Sequence, residues 1–238
     1  MSITFTFQVV FSFLFRVLLA ISALVLLLQL SHVAVNQGVA DLNALAAKMR
    51  LEQWKSRALL PNQTTWELAW NRMQTAMRLD ANNPDHHETI ARLLQWRLQG
   101  GDGRDGAIKE KRQQALIHLR QAVSLRPTWP YGWVNLALAK YRLDQRDDEL
   151  YRAMANAITT GPEERSIQMA VAKMSLSLWN KAPKDLKSLL RGNMELVFAA
   201  NRGEEIVIFA KNNAEESNLR SICPHIGKTK SGKNYCGS

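Results

Sequence analysis

The sequence is poor in cysteine. Only Cys223 and Cys236 occur in the 238 residues, which excludes a dense disulfide framework and a zinc module with several sites. Three arrangements of this pair are compatible with the sequence: a disulfide in an oxidising compartment, a metal site shared with His225 that lacks a fourth ligand, or two free thiols. We expect the disulfide.

Common catalytic motifs are also absent. The sequence contains no Gly-x-x-x-x-Gly-Lys-Ser/Thr, no Gly-x-Ser-x-Gly and no His-Glu-x-x-His. Gly227-Lys228-Thr229 matches only the end of a phosphate-binding loop, without the glycine-rich stretch that precedes it. We therefore predict a non-enzymatic protein that needs no cofactor and no metal ion.

Acidic residues are outnumbered. The chain has 31 Lys and Arg against 21 Asp and Glu, a formal net charge of +10. Such a balance favours acidic partners, namely nucleic acid, an acidic glycan or an anionic lipid surface. A membrane anchor, described next, argues against nucleic acid.

The first 35 residues contain a long apolar run. Between Val17 and Val35 the only polar residues are Ser22, Gln29, Ser31 and His32, and none carries a fixed charge. This length suits a helix that crosses a bilayer. A cleaved signal peptide is the alternative, but the region around His32 has a poor cleavage pattern. We predict an uncleaved transmembrane signal anchor over residues 1–35.

The charges that flank this run give conflicting signals about orientation. Arg16 and the α-amino group favour an N-terminus inside the cell, whereas Lys48 and Arg50 favour the reverse. A short N-terminal tail before one span is usually retained inside. We expect a single-pass protein of the inner (plasma) membrane with its helical domain in the periplasm or outside the cell.

Residues 36–61 predict a stalk helix that ends at Pro61 and serves as the first packing partner of the rest of the chain. Its apolar residues recur at helical spacing. The predicted packing face consists of Val39, Leu42, Leu45, Ala46, Met49 and Trp54.

Residues 62–182 contain a self-similar helical pattern. Three segments carry small and larger apolar residues on one helical face: Ala69, Met73 and Ala76; Ala115, Leu119 and Ala122; Leu150, Met154 and Ala157. Pro127 and Pro162 each follow the last alanine of their segment by five residues and end the helix. Residues 99–112 are glycine-rich and charged, which predicts a solvated insertion.

This pattern resembles a tetratricopeptide repeat (TPR), an α-solenoid of helix pairs. The first-helix positions of the repeat are occupied by His87, Ile90 and Ala91; by Trp133, Leu136 and Ala137; and by Gln168, Val171 and Ala172. The resemblance implies a concave groove that binds an extended peptide or a partner helix. By position in the repeat, it assigns the following residues to that groove: Arg92, Gln95, Trp96, Tyr131, Leu138, Tyr141, Arg142 and Lys173.

The segment Asp85-His86-His87-Glu88 attracts attention as a possible catalytic or metal site. On a helix, two adjacent histidines point about 100° apart and cannot chelate one ion as an i, i+4 pair can. We interpret Asp85 instead as a helix N-cap, with Glu88 completing a capping box.

The C-terminal part predicts a helical cap over residues 183–216 and an irregular basic tail over residues 217–238. A β-branched run from Ile206 to Ile208 is assigned to a short helix, since a lone strand would have no partner. The tail carries Arg220, Lys228, Lys230 and Lys233 without any acid to balance them. Such a run usually marks a solvated segment.

Taken together, the apolar span, about 200 helical residues and Cys223-Pro224-His225 resemble the VpsP-type accessory proteins of exopolysaccharide biosynthesis. The resemblance implies a non-enzymatic, membrane-tethered scaffold that binds other membrane or envelope proteins of a polysaccharide assembly system. One alternative is a binder of an acidic glycan or anionic lipid through its basic residues. Another is an enzyme with an unrecognised site around Asp85, His86 and Glu88.

Overall fold

The computed structural model describes residues 2–97 and 106–237, and these residues form helices and connecting turns without any β-strand. The predicted all-α class is therefore confirmed for this part of the chain. The helices are α1 Ser2–Ser56, α2 Gln63–Leu79, α3 Pro84–Arg97, α4 Gly106–Leu125, α5 Pro130–Arg142, α6 Asp148–Thr160, α7 Arg165–Leu178, α8 Lys184–Ala199, α9 Gly203–Asn212, α10 Glu216–Ile226 and α11 Lys230–Cys236. The first half of the predicted insertion at 99–112 lies outside the described residues, and its second half forms the start of α4.

Helix α1 is unbroken from the apolar N-terminal run into the helical domain. At a rise of 1.5 Å per residue, its 55 residues give a length of roughly 80 Å. Among the described residues, it is the one helix long and apolar enough to cross a membrane. The stalk is thus a continuation of the apolar segment.

The predicted packing face of the stalk was wrong except at Trp54, which is buried as predicted. Val39, Leu42, Leu45 and Met49 are between 42% and 68% exposed, and the buried face consists of Ala40, Ala44, Ala47, Leu51 and Trp54. Three alanines on this face let α2 approach α1 closely. Apolar residues follow a helical period on both sides of α1, so periodicity could not indicate which side packs against the domain.

The three self-similar segments pack as their spacing predicts. Ala69, Met73 and Ala76 of α2, Ala115, Leu119 and Ala122 of α4, and Leu150, Met154 and Ala157 of α6 are all at most 2% exposed. Each helix contacts its chain neighbour, and α5 also contacts α7 while α6 contacts α8. At the start of α5 the approach is especially close, because a Cβ on Gly161 would lie 2.6 Å from the Cβ of Pro130.

The predicted irregular tail was wrong, because residues 216–236 form α10 and α11. Leu219, Ile222 and Ile226 are fully buried in a second core with α8 and α9. A disulfide joins Cys223 to Cys236 and fastens α11 to α10. The spacing of these three apolar residues is helical, but Arg220 between them and the lysines that follow them gave the segment the composition of a solvated tail.

A buried ammonium group connects α4, α5 and α6. The side chain of Lys140 is 1% exposed, and its Nζ lies 2.9 Å from Asp147 Oδ2 and 2.5 Å from Glu149 Oε2. Arg120 donates two further hydrogen bonds to Glu149, each 2.7 Å long. These hydrogen bonds from Arg120 and Lys140 lower the pKa of Glu149 to about 2.

Two histidines meet between α3 and α4. The Nδ1 atoms of His87 and His118 are 3.0 Å apart, and His87 Nε2 lies 2.9 Å from the carbonyl oxygen of Ala81. His87 Nε2 faces an acceptor and therefore donates, and one of the two facing Nδ1 atoms must accept, so the two rings are not both protonated. Burial lowers the pKa of both rings, and neighbouring His86 lowers that of His87 further.

We expect this pair to make the protein sensitive to mild acid. Because the folded-state pKa values are lowered, the unfolded chain takes up protons first, and stability falls as the pH drops below about 6.5. His118→Asn keeps an N–H donor for His87 and removes one titrating ring. We expect the denaturation midpoint of His118→Asn to fall less than that of the wild type between pH 7.5 and 5.5, measured by circular dichroism. Equal slopes for the two proteins would contradict this prediction.

Candidate functional site

A cleft of about 630 Å³ lies between α1, α3 and α5. We call it the groove. Its walls are Lys48, Glu52 and Lys55 of α1; Asp85, Glu88, Thr89, Arg92, Gln95 and Trp96 of α3; and Trp129, Tyr131, Asn135, Leu138 and Arg142 at and before α5. These are residues on one face of each helix, spaced three or four positions apart.

Six of the eight residues assigned to a partner-binding groove line this cleft: Arg92, Gln95, Trp96, Tyr131, Leu138 and Arg142. The structure places the other two elsewhere. Tyr141 packs against the main core, because it is rotated by one residue from the Leu138 and Arg142 face. Lys173 lies on α7 with its Nζ 3.8 Å from Glu205 Oε2.

The wall contributed by α1 was missed. The repeat pattern describes only helix pairs, and α1 precedes the first of them. Lys48, Glu52 and Lys55 recur at i, i+4 and i+7 on one side of α1. This polar stripe could have indicated that a second face of the stalk contributes to a binding surface.

The aromatic side chains of the groove are held in place by hydrogen bonds and ring contacts. Trp96 Nε1 donates to the carbonyl oxygen of Leu59 at 3.1 Å, and the Tyr131 hydroxyl donates to Glu164 Oε2 at 2.7 Å. The ring of Trp129 lies 5.3 Å from that of Tyr131 and 4.6 Å below the Arg126 guanidinium. Fixed rings lose little conformational entropy when a ligand packs on them.

Acidic side chains of the groove already have basic partners. Arg92 forms an ion pair with Glu52. Arg126 lies 2.6 Å from Asp85 Oδ1 and 3.7 Å from Glu88 Oε1. Burial raises the pKa of Glu88, although the Arg126 charge opposes this shift.

Three basic side chains of the groove have no such partner. In the described part of the chain, no carboxylate oxygen lies within 4 Å of the charged groups of Lys48, Lys55 or Arg142. Arg142 Nη1 donates to the amide oxygen of Gln95 at 3.3 Å. The groove thus offers rigid aromatic surface together with three cations that form no salt bridge to a described residue.

The segment around His86 does not form a converging site. His86 Nδ1 is 3.0 Å from the carbonyl oxygen of Asp80, whereas the ring of His87 faces His118. Residues 2–97 and 106–237 contain no group of three or more His, Cys, Asp or Glu side chains placed to share a metal ion. The predicted cap was also wrong: α3 starts at Pro84, and Asn83 Oδ1 accepts from the backbone N–H of Asp85 at 3.0 Å.

A glycine pattern precedes α4 in the sequence. Residues 101–106 read Gly-Asp-Gly-Arg-Asp-Gly, the glycine spacing of a dinucleotide-binding turn, and α4 starts at Gly106. In that motif the glycines follow a β-strand. Here the preceding described element is helix α3, so the spacing alone carries no nucleotide-binding assignment.

Comparison with models of known protein families finds none that matches this chain, and a search of curated proteins finds no match.

Proposed function

We propose that this protein is a non-enzymatic, membrane-tethered scaffold whose groove binds a segment of a neighbouring envelope protein. One observation carries the proposal: the helix that is long and apolar enough to cross a membrane also forms a wall of the groove. Anchor and binding surface are therefore parts of one rigid element.

Helix α1 sets the distance between the apolar segment and the groove. From Val35 to Glu52, α1 continues without a break, which corresponds to roughly 25 Å at 1.5 Å per residue. A groove held at this height meets partners that are themselves in or on the membrane. Tethering raises its effective concentration towards them without any additional contact.

The chemistry of the groove indicates what kind of segment it binds. Trp96, Trp129 and Tyr131 offer the anchoring surfaces that dominate protein interfaces. Lys48, Lys55 and Arg142 favour a ligand with carboxylates near its apolar side chains. An extended peptide or an amphipathic helix of mixed apolar and acidic character fits both features.

Two further observations support an extracytoplasmic envelope role. The Cys223–Cys236 disulfide is of a kind that persists in oxidising compartments. The packing of helix pairs through buried alanines is compatible with a TPR-like solenoid. With the resemblance to VpsP-type accessory proteins, these features favour a single-pass inner-membrane protein of exopolysaccharide assembly with its domain in the periplasm.

The test is photocrosslinking in native membranes. A photoreactive residue replaces Leu138 in the groove, and a matched control replaces Ile117, which is 58% exposed on α4 and outside the groove. We expect the Leu138 position to give adducts with one membrane or envelope protein, identified by mass spectrometry, that the Ile117 position does not give. The same adducts from both positions, or no protein adduct from Leu138, would overturn the proposal.

A second candidate is a binder of an acidic glycan or anionic lipid. It is favoured by the three unpartnered cations of the groove and by Arg220, Lys228, Lys230 and Lys233, which are exposed on α10, on α11 and between them. Binding of this kind weakens steeply with salt, since exposed charges are screened. Adducts that contain only glycan or lipid and disappear at high salt would favour this candidate.

A further inference from the structure

Helix α1 has a second apolar face that nothing in the described structure covers. Val35, Val39, Leu42 and Met49 are 63%, 42%, 68% and 64% exposed. With the half-buried Ala46, we call these residues the outer stripe. It lies roughly opposite Ala40, Ala44 and Ala47, which pack against the helical domain.

The spacing of the outer stripe identifies the kind of partner that it fits. Its residues follow one another at intervals of four, three, four and three positions, which is the a/d pattern of a two-stranded coiled coil. A coiled-coil seam needs a partner helix with the same heptad pattern, and a second copy of this chain provides it. We infer that the protein forms a parallel homodimer through the outer stripes of two α1 helices.

The N-terminal apolar segment continues the same register. The a and d positions that precede Val35 are His32 and then Leu28, Val25, Ile21, Leu18 and Leu14. These last five residues are all between 48% and 65% exposed. When this segment spans a membrane, two copies enter the bilayer in the same direction and at the same depth. Membrane insertion, which the proposed function assumes, thus aligns the two stripes in parallel and in register.

Charge does not oppose this contact, although the chain is strongly basic. The stripe itself carries no charged residue, and the positions that flank it up to Ala46 are Asn36, Gly38, Asn43 and Leu45. Identical charges therefore do not face each other across the two-fold axis over this length. A Cβ on Gly38 would meet no atom within 4 Å, which leaves room for a second helix.

Lipid is a poorer occupant of the same stripe. At its height, Arg72 Nη1 donates to Asn43 Oδ1 at 3.2 Å, and Asp41 lies 3.4 Å from His86 Nε2. Charged groups flanking the helix at this level place it outside the hydrocarbon core. Exposed apolar residues at this height are better covered by protein.

Dimerisation leaves the groove open. Lys48, Glu52 and Lys55 lie on a third face of α1, away from the outer stripe at 100° per residue. A parallel dimer presents two grooves at the same height above the membrane. A partner with two copies of the recognised segment is then bound with an avidity that a single groove does not provide.

The experiment uses the full chain in membranes of the expressing cell. The native cysteines are paired in a disulfide, so an introduced cysteine is the free thiol. Leu42→Cys tests the stripe, and Gln37→Cys is the matched control, exposed on the opposite side of α1. On mild oxidation we expect Leu42→Cys to give a covalent dimer at least tenfold more abundant than that of Gln37→Cys.

A second variant separates seam contact from random collision. Val35→Cys reports dimer formation, and adding Leu42→Glu to it places two like charges at the seam. Since Leu42 is 68% exposed, this change does not disturb the core. We expect Leu42→Glu to reduce the Val35→Cys dimer severalfold.

Three outcomes would overturn the inference. The first is an equal dimer yield from Leu42→Cys and Gln37→Cys. The second is a Val35→Cys dimer whose yield is unchanged by Leu42→Glu. The third is a Leu42→Cys adduct with a different protein in place of the dimer. Loss of the dimer with retained Leu138 photoadducts would leave the groove proposal standing.

Discussion

Replacing Ala157 by glutamate is expected to unfold the helical domain or to cost about 4 kcal/mol of its stability. Ala157 is fully buried where α6 packs in the core, and its nearest neighbours on the same helix face are apolar or small. The new carboxylate would lose its water without gaining a cation. Because domains of this size are stable by roughly 5–15 kcal/mol, one such change removes a large part of the total.

Thr159→Glu is the matched control. Thr159 lies two residues further along α6 and is exposed, so its substitution adds the same charge without burial. Urea denaturation of both proteins in detergent, followed by circular dichroism, compares their midpoints. A midpoint for Ala157→Glu equal to that of Thr159→Glu would show that α6 does not pack through this face.

The second large effect is expected for Glu149→Ala. This change leaves the buried ammonium of Lys140 with Asp147 as its remaining carboxylate and removes both hydrogen bonds of Arg120. Removing one of the two carboxylates leaves the charge of this buried ammonium only partly compensated, and we expect a loss of about 3 kcal/mol at pH 7. The neighbouring Asp148→Ala removes an exposed acid that forms no ion pair with any described residue, and it is expected to have little effect.

The effect of Glu149→Ala should depend on pH. The folded-state pKa of Glu149 is lowered to about 2, so its contribution is complete above the unfolded value near 4.5 and is lost as the pH falls towards 2. The stability difference between wild type and Glu149→Ala should therefore narrow in acid. A difference that stays constant from pH 7 to pH 3, or one no larger than that of Asp148→Ala, would contradict the role assigned to the ion pair.

Local periodicity was sufficient to predict the helices and the buried face of the repeats. The spacing of Leu150, Met154 and Ala157 specifies one apolar face, and no competing face exists on α6. On α1 the same reasoning failed because two apolar stripes follow the same period. The choice between them depends on the alanines of one stripe, which matter only when α2 approaches.

The groove was predictable in part. Residues that belong to a repeat pattern, such as Arg92 and Leu138, were assigned to it from their position. Lys48 and Glu52 come from a helix outside the pattern, and their contribution depends on long-range packing of α1 against α3. The two helices of the tail could not be predicted from the sequence for a related reason. Leu219 and Ile222 are buried only because α8 and α9 provide a second core.

The unbroken course of α1 has a mechanical consequence. In a bilayer, a helix whose apolar length exceeds the hydrocarbon thickness tilts, and the tilt changes with lipid composition. Since no break separates the apolar segment from the part that packs against α2, a change in the tilt of α1 would rotate the whole helical domain relative to the membrane. The direction in which the groove faces would then depend on the thickness of the membrane beneath it.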